Sequence, residues 1–306
     1  MKNTIAAGIV IFNPDNISRV NDNIHITASQ VEKLYIYDNS TGKNNIDIPN
    51  NAVYYTDNHN HGIAYALNYL MRKAMNDGFT WMLTLDQDSI IEKGMLQDFE
   101  SYTKDDKIGI ICPQYYDKRR PYLKVKDSNS IDYIKETITS GSCTSINAWK
   151  EIGEFDEYMF IDLVDNEFCK RLTISGYKII RLNKWVLDQE FGNIEPKNKF
   201  QQKLWIKLSE ILRCQNIAKL SYKKNVSPLR VYYTCRNIIY ANRKLRAYGK
   251  VGFNNYNCHS YLGFIPCYII PSFIRSNNKK KVLEAIIKGT IEGLKKQVAE
   301  WQVVHN

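Results

Sequence analysis

The sequence lacks paired cysteines and long apolar runs. Its seven cysteines are scattered over 306 residues and never form a C-x-x-C pair, which argues against a disulfide framework or a zinc site and favours a reducing compartment. No segment reaches the roughly 18 apolar residues that span a bilayer. The apolar run in "MKNTIAAGIVIFNP" is too short for a signal peptide and has no convincing cleavage site. We therefore expect a cytoplasmic protein, either free or peripheral on the cytosolic face of the inner (plasma) membrane.

Positive charge is concentrated in one part of the chain. The formal net charge is +10, and residues 194–250 hold fourteen Lys or Arg against two Glu. Such a block predicts an anionic partner, which can be a membrane surface, a phosphate-bearing substrate or nucleic acid. A solvated helical surface explains any single lysine equally well.

Strand and helix patterns alternate over the first 115 residues. The predicted strands are "TIAAGIVIF", "KLYIYDNS", "NAVYYTD", "TWMLTLDQDS" and "KIGIICPQ". Between the third and fourth, "HGIAYALNYLMRKAMNDG" has an apolar face at helical spacing. This order predicts an α/β fold with a mostly parallel sheet that is covered on both faces.

Polar residues follow three of these strands, as Asn13, Asp38-Asn39-Ser40 and Asp86-Gln87-Asp88. Ligands of open α/β sheets bind beyond the carboxyl ends of the strands. One polar strand end is only a turn, but three that meet at one edge of a sheet indicate a binding site.

Asp86 and Asp88 point to the same side of their strand, because side chains alternate. Two adjacent carboxylates repel each other unless a cation lies near them. Oxygen ligands suit Mg²⁺ or Mn²⁺, which also binds phosphate oxygens and water. The pair therefore predicts a divalent metal that holds a diphosphate, although D-x-D also occurs in ordinary turns.

Six motifs, in this order and spacing, resemble glycosyltransferase family 2, the inverting GT-A enzymes, and within it the bacterial rhamnosyltransferase-like branch. They are "DNS", "NHGIAYALN", "LTLDQDS", "TSGSCTS", "GEFDEYMFIDLVDNEFCKR" and "PLRVYYTCRN". The resemblance covers most of the first 250 residues. It implies a Rossmann-like GT-A catalytic domain over 1–193 and a mainly helical, basic C-terminal region over 194–306.

The resemblance also implies the residues that bind the nucleotide-sugar donor. Asp38 resembles the aspartate that contacts the base or ribose, and Asp86 the residue that touches the nucleotide-sugar. Asp88 resembles the metal ligand. Asn60 and Gly62 resemble the helix start that packs against the nucleotide. The remaining candidates for donor binding are Asn13, Asn39, Arg230 and Arg236, of which the two arginines can equally pack their helix onto the catalytic domain.

The second acidic motif, "FIDLVDNEFCKR", contains the predicted catalytic base. Relatives carry a Glu-Asp pair six residues before an arginine, which places Asp165 at the base position and Val164 in place of the glutamate. Asp162 and Glu167 become supporting or acceptor-contacting candidates. Acids at the start of an amphipathic helix are the alternative interpretation. Ahead of this motif, the turn at Ser140-Gly141 is expected to approach the acceptor or donor sugar.

This chain departs from the family pattern at one expected metal ligand. Where many relatives have a histidine, "WVLDQEFGN" has Gln189, between Asp188 and Glu190. Either a neighbouring carboxylate replaces the histidine, with Asp188 or Gln189 as third ligand, or the metal has fewer protein ligands.

The last helical pattern, "KKKVLEAIIKGTIEGLKKQVAEW", is basic and amphipathic. It predicts a helix that lies on an anionic membrane, packs on its own domain, or packs on a second copy of the chain in a homodimer.

We therefore expect an inverting, metal-dependent transferase. It would move a sugar, first L-rhamnose from dTDP-L-rhamnose, to a lipid-linked glycan acceptor in bacterial surface polysaccharide synthesis. A UDP-hexose donor is the alternative within the family. A nucleotidyltransferase would need a glycine-rich loop where "NPDNISR" stands. No nucleic-acid-binding motif is present, and the retained aspartates speak against an inactive scaffold.

Overall fold

The computed structural model describes residues 5–120, 122–189, 192 and 194–303, and its centre is an eight-stranded sheet. The strands are β1 (Ile5–Ile11), β2 (Leu34–Asp38), β3 (Ala52–Thr56), β4 (Trp81–Asp86), β5 (Ile108–Tyr116), β6 (Ile131–Ile134), β7 (Ser142–Ser145) and β8 (Lys178–Asp188). Their spatial order is β3-β2-β1-β4-β7-β5-β8-β6.

Six of these strands run in one direction. The pairs β1–β2, β2–β3, β1–β4 and β5–β8 are parallel, whereas β7 is antiparallel to both β4 and β5, and β6 is antiparallel to β8. The predicted mostly parallel α/β sheet is confirmed. The motif "TSGSCTS" predicted only a turn, but its second half is β7, which fills the gap between β4 and β5.

Helices cover both faces of the sheet. Those before residue 193 are α1 (Ile17–Ala28), α2 (Ile63–Asn76), α3 (Met95–Glu100), α4 (Ile146–Glu151) and α5 (Val164–Ile174). The alternation along β1 shows the two faces: Ala6 and Val10 belong to the hydrophobic core under α2 and α5, and Ile9 and Ile11 belong to the core under α1 and α3. A strand buried on both faces needs the continuous apolar run that the sequence shows.

The C-terminal region is mainly helical. It contains α6 (Lys199–Ile211), α7 (Gln215–Ala218), α8 (Pro228–Lys244), α9 (Tyr261–Phe264), α10 (Ile270–Arg275) and α11 (Lys279–Lys295), with a short antiparallel pair β9 (Ile194–Pro196) and β10 (Tyr222–Lys224). A π-helical segment, Ile265–Ile269, joins α9 to α10. Apolar residues of α8 share a core with α2 and α5. The boundary at residue 193, itself outside the described residues, stays a prediction.

Helix α11 packs along α8 in the same chain through small residues. Gly289 and Gly293 face the backbone of Tyr232 and Arg236, and a Cβ at either glycine would overlap a carbonyl oxygen. The two helices therefore approach closely on one face of α11. In the part of the chain that the structure describes, no helix has the length and apolarity needed to cross a membrane.

Candidate functional site

A cleft of about 580 Å³ opens at the carboxyl ends of β1, β2 and β4. The predicted site residues that line it are Asn39, Asn60, Gly62, Asp86, Asp88, Asp162, Asp165 and Arg230. The fold therefore brings the D-x-D motif and the second acidic motif, nearly 80 residues apart in sequence, to one cavity. Phe160, Asn255 and Tyr256, which the sequence did not single out, also line it.

The backbone of the D-x-D motif is held from both sides. Asn23 Nδ2 donates to the Asp86 carbonyl oxygen at 2.9 Å, and Arg19 Nε donates to the Asp88 carbonyl oxygen at 2.9 Å. Ser140 Oγ accepts the Asp86 amide at 3.0 Å. These contacts fix the strand end, so the two carboxylates face the cleft in a set orientation. Ser140 is itself buried and supports the motif from behind.

Burial raises the pKa of Asp86 to about 6, and the nearby charge of Asp88 adds to the rise. Two partners oppose it: Gln189 Nε2 donates to Asp86 Oδ2 at 3.0 Å, and the charge of Arg230 favours the ionised form. Gln189 is buried, and its Oε1 accepts from Ser89 Oγ at 2.5 Å. The glutamine that replaces the expected histidine is therefore in direct contact with the D-x-D motif.

The donor set of this site fits a hard divalent cation. Asp86 and Asp88 offer carboxylate oxygens at the cleft wall, and their mutual repulsion is the kind that a cation relieves. Among the described residues no group of three or more His, Cys, Asp or Glu side chains is placed to hold a metal. Asp188 pairs with Lys118 at 2.6 Å, and Glu190 lies outside the described residues. Mg²⁺ and Mn²⁺ accept such a site, because substrate phosphates and water complete their coordination.

The polar end of β2 connects to the start of α2. Asn39 Oδ1 accepts from the backbone N–H of His61 at 2.8 Å, and Asn39 Nδ2 donates to Asn60 Oδ1 at 3.0 Å. The same Asn60 oxygen accepts from the Gly62 N–H at 2.9 Å. Asn39 and Asn60 therefore shape this wall of the cleft together, as two predicted site residues in contact.

Asp38 and Asn13 lie beside the cleft, outside its lining. Asp38 is fully buried: Asn44 and Tyr54 donate to its Oδ2 at 2.8 and 2.7 Å. Asn13, with a φ of 40°, donates its backbone N–H to Ser40 Oγ at 2.7 Å. Their predicted contacts with the nucleotide stay predictions.

Gly62 is required by its surroundings. Its φ is +85°, and a Cβ there would lie 2.6 Å from both the ring and the carbonyl oxygen of Phe160. That carbonyl also accepts the N–H of Ile63 at 2.7 Å. The first backbone amide of α2 is therefore bound by the first residue of the second acidic motif.

Asp165 stands in the first turn of α5 and opens into the cleft. Burial raises its pKa to about 6, and the charges of Asp162 and Glu136 add to the rise. Its Oδ1 accepts the N–H of Asn166 at 2.9 Å. A carboxylate with a pKa near 6 is ionised at pH 7 and is still a stronger base than an ordinary aspartate, as a general base requires.

The segment before Asp165 has an unusual backbone. Phe160, Asp162 and Leu163 all have φ between 60° and 65°, a region that non-glycine residues rarely adopt. Asn237 of α8, fully buried, donates its Nδ2 to the carbonyl oxygens of Met159, Ile161 and Asp162 at 2.7 to 2.9 Å. One amide therefore holds the whole turn.

The Asp162 side chain is paired with α8 as well. Arg230 Nε lies 3.1 Å from Asp162 Oδ1, and its Nη2 forms a second bond to the same carboxylate. Thr234 Oγ1 donates to Asp162 Oδ2 at 3.3 Å. Arg230 lies at the cleft wall with this partner, so its charge is partly neutralised.

Three further predicted residues lie behind the cleft. Glu167 is fully buried and pairs with Arg171 at 2.7 Å and with Lys244 at 2.8 Å. The buried Arg236 guanidinium stacks on Tyr158 and Tyr233. Gly141, with a φ of +76°, forms a turn behind Ser140 that has no room for a Cβ beside Leu187. These contacts attach α8 and the "TSGS" turn to the domain, and any role in ligand binding stays a prediction.

The sequence did not identify Asn237 as the residue that holds the turn. Its place in "PLRVYYTCRN" marked this segment as part of a family motif but did not show which residues Asn237 contacts. Its contacts depend on how α8 packs against the turn at 159–162, which the sequence alone does not show.

Comparison with known proteins agrees with this geometry. Residues 17–168 match the family model for glycosyl transferase family 2. This chain belongs to glycosyltransferase family 2. Over 191 residues it is 27% identical to the dTDP-rhamnosyl transferase RfbF of Shigella flexneri, a match that covers 56% of this chain and 64% of RfbF. The family 2 domain therefore contains both the D-x-D motif and Asp165.

A solved structure shows the same fold. GalNAc-T7, crystallised with UDP, GalNAc and Mn²⁺, matches with a TM-score of 0.52 at 11% identity, over 89% of this chain and 58% of that chain. The predicted GT-A architecture is confirmed. This chain spans less than two thirds of either RfbF or GalNAc-T7.

Proposed function

We propose that this family 2 protein is an inverting glycosyltransferase that uses a nucleoside-diphosphate sugar. One observation carries the proposal: a pair of cleft carboxylates suited to a metal and a separate carboxylate with a raised pKa open into the same cavity. The pair Asp86 and Asp88 suits a donor diphosphate. The separate carboxylate, Asp165, suits the acceptor hydroxyl.

The reaction is a single displacement. The acceptor oxygen forms a bond to the anomeric carbon as the bond from that carbon to the diphosphate oxygen breaks, which inverts the configuration. Asp165 takes the hydroxyl proton, and the nucleoside diphosphate leaves. Asn237 and the pair Arg230–Asp162 keep the base at a fixed place in the cleft wall. Such positioning lowers the entropic part of the barrier.

Asp86 and Asp88 would hold Mg²⁺ or Mn²⁺, which when bound neutralises charge that develops on the leaving diphosphate. The contact of Gln189 with Asp86 would orient this carboxylate. Mn²⁺ in the GalNAc-T7 structure supports a metal of this class. Asp188 is the weaker candidate for a third ligand, because Lys118 already pairs with it.

For the donor we propose dTDP-L-rhamnose first, and a UDP-hexose second. The support is the 27% identity to RfbF, a dTDP-rhamnosyl transferase. The acceptor would be a glycan on a lipid carrier, as in the synthesis of bacterial surface polysaccharide.

We also propose that the outer face of α11 contacts an anionic membrane. Four apolar side chains, each between 44% and 59% exposed, form a stripe opposite the face that packs on α8; they are Leu283, Ile287, Ile291 and Leu294. The five lysines of α11 are exposed on the same helix. An apolar stripe beside cations is the pattern of an interfacial helix.

Thermal shift with dTDP, UDP, GDP and ADP, each with Mn²⁺, Mg²⁺ or EDTA, tests the donor site. A ligand that binds only the native state raises the apparent melting temperature. We expect a shift with dTDP that requires metal and disappears in Asp88→Ala. The matched control Asp127→Ala, at an exposed aspartate, should keep the shift. A folded wild-type protein that shows no metal-dependent shift with any nucleotide would contradict the proposal.

A further inference from the structure

A second cluster of charged side chains lies next to the cleft. Arg120, Lys219, Lys224 and Arg275 line a pocket of about 130 Å³, called here the cationic pocket. They come from distant parts of the chain: the connection from β5 to β6, the short helix Lys219–Ser221, β10 and α10. Tertiary folding, rather than a run of basic residues, therefore brings four cations together.

The cationic pocket has little negative charge of its own. Arg120 Nε lies 3.3 Å from Asp117, a carboxylate that also pairs with Arg119. Lys219 donates to a neutral partner, Asn216 Oδ1, at 2.8 Å. Among the salt bridges formed within the described part of the chain, none includes Lys219, Lys224 or Arg275.

These cations oppose one another. The pKa of Lys224 is lowered to about 8, first by desolvation and then by the charges of Arg230 and Arg120. Desolvation also lowers the pKa of Lys219, and Arg120 and Arg275 lower it further. Like charges held together in a concave site disfavour the folded state unless an anion binds between them.

The cationic pocket continues into the cleft on the side of the base. Asn255 and Tyr256 line both cavities. Asn255 Nδ2 donates to Asn166 Oδ1 at 2.7 Å, and Asn166 directly follows Asp165 in the sequence. The D-x-D motif, by contrast, lines the cleft alone. An anion in the cationic pocket is therefore a different group from the donor diphosphate.

We propose that the cationic pocket binds a phosphate or diphosphate group of the acceptor substrate. Bound there, the charged group stays intact and places an acceptor hydroxyl near Asp165. The inference rests on the proposed transferase function. A pocket of about 130 Å³ suits one such group rather than a polynucleotide chain.

Titration calorimetry with inorganic pyrophosphate in EDTA tests the cationic pocket without the metal. We expect wild type to bind pyrophosphate, and the double variant Lys224→Gln/Arg275→Gln to bind it at least tenfold more weakly. Lys203→Gln, at an exposed lysine of α6, should bind as wild type does. The melting temperature of the double variant should stay equal or rise, because repulsion is removed; if it falls, the two single variants are compared instead. Equal affinity in wild type and the charge-removed variants would overturn the inference.

Two further arms separate the possible outcomes. Phosphatidylcholine vesicles that carry a polyprenyl diphosphate, compared with vesicles that carry the polyprenol, show whether the phosphate is lipid-borne. If the protein sediments with the polyprenyl diphosphate vesicles and not with the polyprenol vesicles, the acceptor is lipid-linked. If it binds pyrophosphate but sediments equally with both kinds of vesicle, the acceptor is soluble. The double variant should keep the metal-dependent nucleotide shift, and its loss would make the cationic pocket part of the donor site. Pyrophosphate binding without any nucleotide shift in wild type would instead contradict the transferase and leave the anion site standing.

Discussion

The side-chain amide of Gln189 donates to Asp86 Oδ2 at 3.0 Å, at the point where the family pattern led us to expect a histidine. Gln189 directly follows β8 and reaches Asp86 at the end of β4, although two strands, β7 and β5, lie between β8 and β4 in the sheet order. Because the amide N–H donates a hydrogen bond to this carboxylate, Gln189 orients Asp86 and favours its ionised form. The position at which the family pattern predicts a metal ligand therefore holds a residue that hydrogen-bonds Asp86, and a role of Gln189 as third metal ligand stays a prediction.

Replacing Gln189 with leucine should weaken metal-dependent nucleotide binding. The change removes the donor to Asp86 and the acceptor of Ser89, so we expect a loss of about 1–2 kcal/mol, or roughly five- to thirty-fold in affinity. Calorimetric titration with dTDP and Mn²⁺ at pH 7 measures it. Gln201→Leu, at an exposed glutamine on α6, is the control. Unchanged affinity in Gln189→Leu would show that Asp86 needs no orienting partner.

The transfer rate should depend on the ionisation of Asp165. Its pKa is raised to about 6, and a general base acts only when deprotonated. We expect kcat/KM to be constant above pH 7 and to fall about tenfold per pH unit well below pH 6. Asp165→Asn should lose about 10²–10⁴-fold in rate and keep the metal-dependent nucleotide shift. A variant with wild-type rates would remove Asp165 from the mechanism.

The same residue should reduce stability at neutral pH. A carboxyl whose folded pKa lies near 6 rather than 3.8 favours its protonated form in the folded state. The penalty is therefore absent below pH 3.8, grows as the pH rises towards 6, and is complete at pH 7. Asp165→Asn should raise the free energy of unfolding at pH 7 by on the order of 1–3 kcal/mol. Urea unfolding at pH 4 and pH 7 should show the gain only at the higher pH.

Removal of the Asn237 side chain should release the turn before Asp165. The three carbonyls that share this amide are held in a strained backbone, so Asn237→Ala should cost about 2–4 kcal/mol of stability. At a temperature where the variant is folded, kcat should fall more than donor affinity, because the turn leads directly to Asp165, the proposed base. Asn254→Ala, at an exposed asparagine, is the matched control. If donor affinity falls as much as kcat, the substitution acts at the donor side of the cleft rather than at Asp165.

The two glycines Gly62 and Gly42 should respond in opposite ways to alanine. At Gly62 the positive φ and the 2.6 Å approach to Phe160 both oppose a Cβ, and we expect Gly62→Ala to cost about 2–4 kcal/mol. Nothing lies within 4 Å of a Cβ at Gly42, so Gly42→Ala should be neutral or slightly stabilising. Melting temperatures of the two variants make the comparison. Equal effects would mean that α2 shifts to accept the methyl group.

The sequence predicted those parts of the fold that depend on local pattern. Strand β1 is a continuous apolar run and helix α2 has an apolar face at helical spacing. Residues with these patterns form the hydrophobic cores on the two faces of the sheet. Strand β7 has only four residues, without an apolar run, and forms because β4 and β5 offer it two partners. Tertiary pairing of this kind is not encoded in periodicity.

The positions of some site residues follow from local pattern, whereas those of others depend on tertiary packing. Asp86 and Asp88 were readable because a strand end fixes where they point. Asp165 and Glu167 belong to one motif, yet only Asp165 opens into the cleft, whereas Lys244 of α8 and Arg171 hold Glu167 in the interior. The direction of each acid depends on the start of α5, with Leu163 at a φ of 64°, and on the packing of α8. Neither can be derived from the spacing of acidic residues.

The exposed stripe of α11 should bring the protein to anionic bilayers. The packed face of this helix is already covered by α8, so Ile287 and Ile291 are free to insert while the lysines meet lipid phosphates. We expect wild type to sediment with phosphatidylglycerol vesicles more than with phosphatidylcholine vesicles, and less at high salt.

Ile287→Gln/Ile291→Gln should weaken that sedimentation about tenfold or more, since each buried aliphatic side chain contributes about 1.5–3 kcal/mol when it is fully removed from water and less when it is partly inserted. Ile211→Gln/Leu212→Gln, at apolar residues at the end of α6 that are more exposed than Ile287 and Ile291, is the control and should sediment as wild type does. Sedimentation velocity without lipid gives the competing result: a dimer that the α11 variant dissociates would mean that a second copy of the chain, and not a membrane, covers the stripe.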